Sequence, residues 1–180
     1  PYFYKGDGNI NFTDVSESWG TGAMKGYFNG ASYADLDNDG NLDMVMNCLN
    51  APAIILKNKL PAKTTLDIAF KGSGKNTKGI GTKAWVFAGG KMQYQQLQTS
   101  RGFQSGCDAK LHFGLDSLRY IDSILIVWPD QKYQLFKNTP AKGSMEVKQN
   151  ESGGQFDHNK FFPPAKPLFN NISDQVQNNR

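Results

Sequence analysis

Apolar and polar residues alternate through the middle of the chain. Leu66, Ile68 and Phe70 alternate with Thr65, Asp67 and Ala69, a pattern typical of a strand with one face in a core. Two further runs, 84–87 and 124–128, are apolar at nearly every position and predict central strands covered on both faces. Because short runs of this kind are separated by glycine-rich or proline-containing turns, the pattern predicts an all-β sandwich, barrel or propeller.

The stretch 35–43, with the sequence DLDNDGNLD, is the densest polar feature. It carries four carboxylates at odd-numbered positions and a glycine at the bend. Since Ca²⁺ takes about six to eight oxygen ligands, this loop predicts a Ca²⁺ site. The expected ligands are the side chains of Asp35, Asp37, Asp39 and Asp43 and the backbone carbonyl of Asn41.

Two other interpretations fit the same spacing. An EF-hand loop has a bidentate glutamate near its twelfth position and continues into a helix, whereas this chain has Met46 there, within a strand-like segment. A turn without any metal is the remaining alternative, since Asp, Asn and Gly are common in tight turns. Four acids in register favour the metal site over the plain turn.

Composition restricts the classes of protein to which the chain can belong. Its 180 residues are 38% hydrophobic with a mean hydropathy of −0.55, which predicts a globular protein without a membrane span. The net charge is +4, but the lysines are dispersed and form no basic block, so no nucleic-acid partner is expected. Cys48 and Cys107 are far apart in sequence and could either pair in an oxidising compartment or be two separate buried thiols; the unpaired state is favoured, and no catalytic thiol is indicated.

Several conspicuous residues have structural interpretations. His112 lies between apolar neighbours on a predicted strand, where a hydrogen-bonded structural role is expected. Trp85 and Trp128 lie inside apolar runs and are expected in the core, not on a sugar-stacking surface. Arg101, before Gly102 and Phe103, could face a ligand, and a surface ion pair is the favoured expectation.

No catalytic residue is predicted. Asp122 and Asp130 flank an apolar strand and could serve as the carboxylate pair of a glycosidase only if they lay about 5 to 9.5 Å apart. No nucleophile with a neighbouring base is recognisable by motif. The chain is therefore predicted not to be an enzyme.

A short internal repeat links the two ends of the chain. Residues 12–17, FTDVSE, are matched by residues 169–174, FNNISD. Repeats of this kind are typical of propellers and other arrays, which suggests a piece of a longer repeat protein. The segment after residue 150 is rich in Gly, Pro, Asn and Gln and predicts a linker.

Longer motifs carry two family resemblances. Residues 2–58 contain GDGN, FTDV, ADLDNDGNLD and ILKN in that order, and resemble an FG-GAP or VCBS-type propeller repeat. Residues 66–147 contain Asn76 with GIG, then GFQS, LHFGL and VWPD, and are similar to an ASPIC/UnbV domain. That domain follows such repeats in cartilage acidic protein-like and bacterial surface proteins. Gln131 and Asp116 replace two glycines usual in the family, and each is expected to reshape a turn.

The resemblances imply a division into three parts: a propeller-repeat fragment (1–60), an ASPIC/UnbV-like β-domain (61–149), and a linker with the start of a next repeat (150–180). The implied fold is all-β, with a propeller-type hairpin carrying the Ca²⁺ loop and packed on a β-sandwich or barrel-like domain. An isolated propeller blade would expose apolar faces, so it is expected to pack on the following domain.

The implied function is that of a noncatalytic extracellular or cell-surface calcium-binding module for adhesion, scaffolding or recognition of a protein or glycan. An outer-membrane anchor elsewhere in the full-length protein is compatible with this. The alternative is an accessory lobe of a secreted glycan-processing enzyme.

Overall fold

The computed structural model describes residues 1–61, 63–141, 143–167, 169 and 171–173. Thirteen strands, one 3-10 helix (Gln149–Glu151) and one short α-helix are present in this part of the chain: β1 (Tyr4–Gly6), β2 (Phe12–Asp14), β3 (Phe28–Ala34), β4 (Asp43–Cys48), β5 (Ile54–Leu56), β6 (Thr65–Lys71), β7 (Lys83–Ala88), β8 (Lys91–Gln96), β9 (Lys110–Gly114), β10 (Tyr120–Val127), β11 (Lys132–Pro140), β12 (Gly143–Lys148), β13 (Gly153–Gln155) and α1 (His158–Phe161). The predicted all-β fold is thereby confirmed.

Two sheets share the main core. One has the order β13-β11-β10-β7-β8, and the other has the order β12-β6-β9, with β12 parallel to β6. Alternate residues of β6, β7 and β9 are buried, and together with β10 they form one hydrophobic cluster that includes Ile68, Val86, Phe113, Ile124 and Trp128. The alternation of apolar residues along β6 therefore reports a half-buried strand, as expected.

The two sheets are also joined at one side by side chains. Gln93 and Gln95 of β8 donate their amides to the carbonyl oxygens of Gly114 and His112 on β9, at 2.8 and 2.6 Å. Among the described sheets none closes into a barrel, so the barrel-like alternative for this domain is wrong.

The outer face of the five-stranded sheet is apolar too, as the run 124–128 predicted. Trp85 pairs across the ladder with Leu125, which is 1% exposed. The segment 156–162, here called the C-terminal strap, covers this face. Phe156 stacks on Trp85 with ring centroids 6.0 Å apart, and Phe162 lies 5.3 Å from the same ring.

The strap corrects the interpretation of the tail as a plain linker. β13 extends the sheet beside β11, and the Phe156 amide donates to the Gln131 carbonyl at 2.7 Å. Trp128 lies in the core as predicted, whereas Trp85 lies outside it, half-buried under the strap. Of the predicted repeat at 169–174, Asn170 and Asp174 lie outside the described residues.

Gln131 and Asp116 stand at positions where the sequence resemblance implies glycine. Gln131 has a φ of 64° and Asp116 a φ of 55°, both in the left-handed region. The expectation that these residues reshape their turns stays a prediction. Hydrogen bonds hold the backbone in place, since the Gln131 amide donates to the Trp128 carbonyl and the Thr64 amide donates to the Asp116 carbonyl.

Residues 1–60 form two small sheets, β1-β2 and β3-β4-β5. The outer edge of β3 faces the loop 100–106 of the main domain. The Ala31 amide donates to Ser105 Oγ at 3.0 Å, and Ser32 Oγ donates to the Gly106 carbonyl at 2.5 Å. These contacts agree with the expectation that the N-terminal part packs on the domain that follows. A propeller arrangement of this part stays a prediction.

Candidate metal centre

The acidic loop connects β3 to β4. Ala34, the last residue of β3, pairs with Asp43, the first residue of β4, so the loop is closed at its base by the strand ladder. Asn38 and Gly40 have φ values of 60° and 89°, which turn the chain sharply between the strands. Asparagine and glycine adopt this left-handed conformation at the lowest cost, so the local sequence suits the bend.

The loop brings three of the predicted ligands together. Asp35, Asp37 and Asp39 each offer a carboxylate oxygen, and these oxygens all lie within 4.8 Å of one another. Oxygens bound to one Ca²⁺ at about 2.3 to 2.6 Å can be at most about 5 Å apart, so this triplet fits a single ion. Hard carboxylate oxygens are also the ligand type that Ca²⁺ prefers.

Backbone hydrogen bonds fix the orientation of these carboxylates. The Asp35 carboxylate accepts from the amides of Asp39 and Gly40 at 3.1 and 2.9 Å, and Asp39 accepts from the Asn41 amide at 2.8 Å. Each carboxylate oxygen retains a further lone pair for a cation. The loop therefore orders its acids through its own backbone.

The other two predicted ligands are placed differently. Asp43 is 4% exposed, and its two oxygens accept from the amides of Leu36 and Asn58 at 3.2 and 2.8 Å. It lies outside the triplet and anchors the loop to the segment after β5. The Asn41 side chain is also buried and donates to the Leu60 carbonyl at 3.2 Å. Ligation by Asp43 and by the Asn41 carbonyl stays a prediction.

Lys57 is a member of the site that sequence reasoning missed. Its ammonium forms an ion pair with Asp37 and lies 4.0 Å from Asp39. The hydrogen bond between Lys57 and Asp37 lowers the pKa of Asp37 and raises the pKa of Lys57. Leu56 pairs with Met44, so Lys57 follows β5 directly beside the base of the loop. The signal was the apolar run 54–56 before it, which marks the third strand of this sheet.

The carboxylates considered for catalysis are not brought together. Asp122 lies near the start of β10, and Asp130 lies in the turn that follows this strand. The strand segment from Asp122 to Val127 alone spans about 17 Å of extended chain, at about 3.3 Å for each of its five steps. This distance exceeds the separation of a glycosidase carboxylate pair.

The structure places His112, the two cysteines and Arg101 in defined surroundings. His112 has the predicted hydrogen bond, with Nδ1 2.7 Å from Asp67. Cys48 and Cys107 are free thiols, as favoured. The predicted ion pair of Arg101 is wrong, because its guanidinium donates to the Gln96 carbonyl at 3.0 Å and no described carboxylate lies within 4 Å of it.

Comparison with known families supports one of the two resemblances. Residues 72–154 match the family described as ASPIC and UnbV. The match covers β7 to β12 and reaches into β13, so it includes the whole five-stranded sheet except the end of its last strand. No curated protein matches the chain. The resemblance of residues 2–58 to propeller repeats stays a prediction.

Proposed function

We propose that the chain is a noncatalytic calcium-binding module of an extracellular or cell-surface protein. In this proposal it serves adhesion, scaffolding or the recognition of a protein or glycan. The observation that carries the proposal is the convergence of Asp35, Asp37 and Asp39 oxygens within 4.8 Å. The resemblance of the surrounding residues to calcium-loop repeats, next to an ASPIC/UnbV domain, supports it.

Electrostatics favours a divalent cation at this loop. The three carboxylates and the buried Asp43 bring four negative charges to nine residues, and Lys57 supplies one positive charge in return. A divalent ion would reduce the remaining repulsion most effectively when it lies between the three clustered oxygens. Extracellular modules bind Ca²⁺ with dissociation constants of about 10⁻⁴ to 10⁻³ M, and millimolar external calcium would fill such a site.

Calcium would act structurally in this arrangement. The loop connects β3 to β4, and β3 contacts the main domain through Ser105 and Gly106. An ion that holds the loop closed would therefore stabilise the strand pair that carries this contact. The accessory lobe of a glycan-processing enzyme remains the alternative hypothesis, and the separation of Asp122 from Asp130 gives it no support.

Thermal unfolding with and without calcium tests the proposal. An ion at about tenfold excess over its dissociation constant stabilises the folded chain by about 1.4 kcal/mol. For a chain of this size the midpoint should rise by about 3 to 5 °C relative to a chelator-treated sample. An unchanged midpoint at millimolar calcium would refute the proposed site.

A matched pair of variants locates the effect. Asp39→Asn removes one charge from the triplet and should abolish most of the calcium-dependent rise in the midpoint. Asp122→Asn removes a charge from an exposed position on β10 and should leave the rise unchanged. Equal behaviour of the two variants would place any calcium effect away from this loop.

A further inference from the structure

A cleft of about 200 Å³ lies between the β3-β4 hairpin and the main domain. Ala34 and Leu42, at the two ends of the acidic loop, form part of one wall, and β9 forms part of the opposite wall. The polar and charged side chains that line it are those of Tyr33, Gln95, Gln98, Arg101, Asp108, Lys110 and His112, and the carboxylate of Asp108 lies beside Lys110. The cleft is smaller than a typical drug-sized pocket of about 300 to 1,000 Å³. Its volume suits one sugar ring or a group of similar size.

The two cations that line the cleft differ in their surroundings. Lys110 is paired with Asp67 at 3.1 Å and lies 3.7 Å from Asp108, so its charge is compensated within the protein. Arg101 has no carboxylate partner among the described residues, and one of its N–H groups is held by the Gln96 carbonyl. This bond fixes the guanidinium and leaves its other donors for a ligand. A planar guanidinium binds a carboxylate through two parallel hydrogen bonds.

Neutral hydrogen-bonding groups accompany Arg101. Burial raises the pKa of the Tyr33 phenol, although the charge of Arg101 acts in the opposite direction, so the hydroxyl is neutral at physiological pH. His112 uses Nδ1 for Asp67, which leaves Nε2 as the ring nitrogen available to a ligand. These groups and the Gln98 amide can pair with hydroxyl groups, which a glutamate or aspartate side chain lacks.

The charge distribution of the chain also favours an anionic ligand. Residues 61–167 contain fifteen Lys and Arg residues against eight Asp and Glu residues, a net charge of +7. Residues 1–60 contain four basic and seven acidic residues, a net charge of −3. A positively charged domain raises the local concentration and the association rate of an anionic ligand.

We propose that this cleft binds a carboxylate-bearing sugar of an acidic glycan, with Arg101 on the carboxylate and Tyr33, Gln98 and His112 on the ring hydroxyls. The proposal rests on the recognition role proposed above, and it names the ligand class and the site. The proposed site would favour acidic over neutral sugars, because a neutral sugar has no carboxylate to pair with the Arg101 guanidinium.

Titrations of the full chain followed by NMR or calorimetry test the site. The probes are the methyl glycosides of glucuronic, galacturonic and sialic acid, with methyl glucoside and methyl galactoside as uncharged counterparts. At least one acidic glycoside should bind about tenfold or more tightly than the neutral glycosides, as expected for a charge-assisted pair. If none of the three acids binds at concentrations up to about 10 mM, the proposal is overturned, because a dissociation constant above this concentration is too weak for a specific site.

Variants separate the site from general charge attraction. Arg101→Gln should weaken binding of the acidic glycoside by about tenfold or more, and Tyr33→Phe should weaken it less. Arg119→Gln removes the same charge at an exposed position that does not line the cleft and should have no more than about a twofold effect. Equal losses in the Arg101 and Arg119 variants, or binding of an acetylated glutamate peptide as tight as that of the sugars, would overturn the proposal.

The same samples distinguish this inference from the proposed calcium function. Each titration is run in calcium, and each variant is also melted with calcium and with chelator. A calcium-dependent rise in the midpoint without sugar binding refutes the cleft proposal alone. Sugar binding without any calcium effect refutes the calcium site and supports the cleft.

Discussion

The ammonium of Lys57 forms an ion pair with Asp37, at the place where the acidic loop would hold a cation. The same ammonium lies 4.0 Å from Asp39. A single lysine therefore neutralises part of the charge of the triplet when no divalent ion is bound. In the proposed calcium site the lysine would compete with calcium for Asp37, and it would stabilise the loop when calcium is absent.

Replacement of Lys57 by methionine should strengthen calcium binding. Lys57→Met removes the competing charge and should lower the calcium dissociation constant by about two- to fivefold, the range expected for an exposed ion pair. A calorimetric titration measures this change. Lys59→Met, at an exposed position two residues further on, serves as the control and should bind calcium as the unmodified chain does. Weaker binding in Lys57→Met would show that the lysine assists the site.

The pH dependence of calcium binding should be confined to strongly acidic conditions. The hydrogen bond from Lys57 holds the pKa of Asp37 below its usual value of 3.8. A carboxyl group whose pKa is lowered by folding contributes its stability above the unfolded pKa and loses it as the pH falls through the folded pKa. Calcium affinity should therefore stay nearly constant between about pH 7.5 and 5.5. A steep fall within this window would implicate a group with a higher pKa.

Gln131→Gly should stabilise the main domain. Gln131 adopts a φ of 64°, which is strained for a residue with a Cβ and free of strain for glycine. Its backbone bonds to Trp128 and Phe156 do not depend on the side chain. After the entropic cost of glycine, the free energy of unfolding should rise by about 0.5 to 1 kcal/mol in urea denaturation.

Gln131→Ala provides the control for this substitution. Alanine keeps the Cβ and therefore the strain, while it removes a side chain whose only hydrogen bond in the described structure, to the Pro129 carbonyl, is 3.5 Å long. Its stability should match that of the unmodified chain. If both variants gained stability equally, the effect would come from the lost side chain and not from the backbone.

The C-terminal strap should contribute measurably to stability. Phe162 packs on Trp85 and lies 6.5 Å from the ring of Phe87, so Phe162→Ala should lower the free energy of unfolding by about 1 to 3 kcal/mol. Phe169 is 89% exposed, and Phe169→Ala should change the free energy of unfolding by less than about 0.5 kcal/mol. Urea denaturation of both variants measures the difference. A neutral Phe162→Ala would mean that the strap does not cover the sheet in solution.

The strands of the main domain were predictable because their burial is periodic. Leu66, Ile68 and Phe70 repeat every second residue, and a strand with one buried face produces this period. The strap was not predictable in this way. Its aromatic residues stand at irregular positions among polar residues, and they gain a partner only when the outer face of the sheet has formed.

The aspartates of the candidate metal centre could be predicted from the sequence, whereas the residues that surround them could not. Local spacing alone placed Asp35, Asp37 and Asp39 on one loop, and the structure brings their oxygens together. The pairing of β5 with β4 brings Lys57 and the Asn58 amide to the loop, and this contact depends on tertiary structure. The same contact gives Asp43 the Asn58 amide as a backbone donor, which spacing could not indicate.

A crystal structure of the chain grown in about 10 mM calcium tests the central claim most directly, because this concentration exceeds the expected dissociation constants. The account predicts one ion bound by Asp35, Asp37 and Asp39 at about 2.3 to 2.6 Å, with Lys57 displaced from Asp37. Anomalous scattering would identify the ion. A loop without an ion in that crystal, with Lys57 still paired to Asp37, would contradict the account.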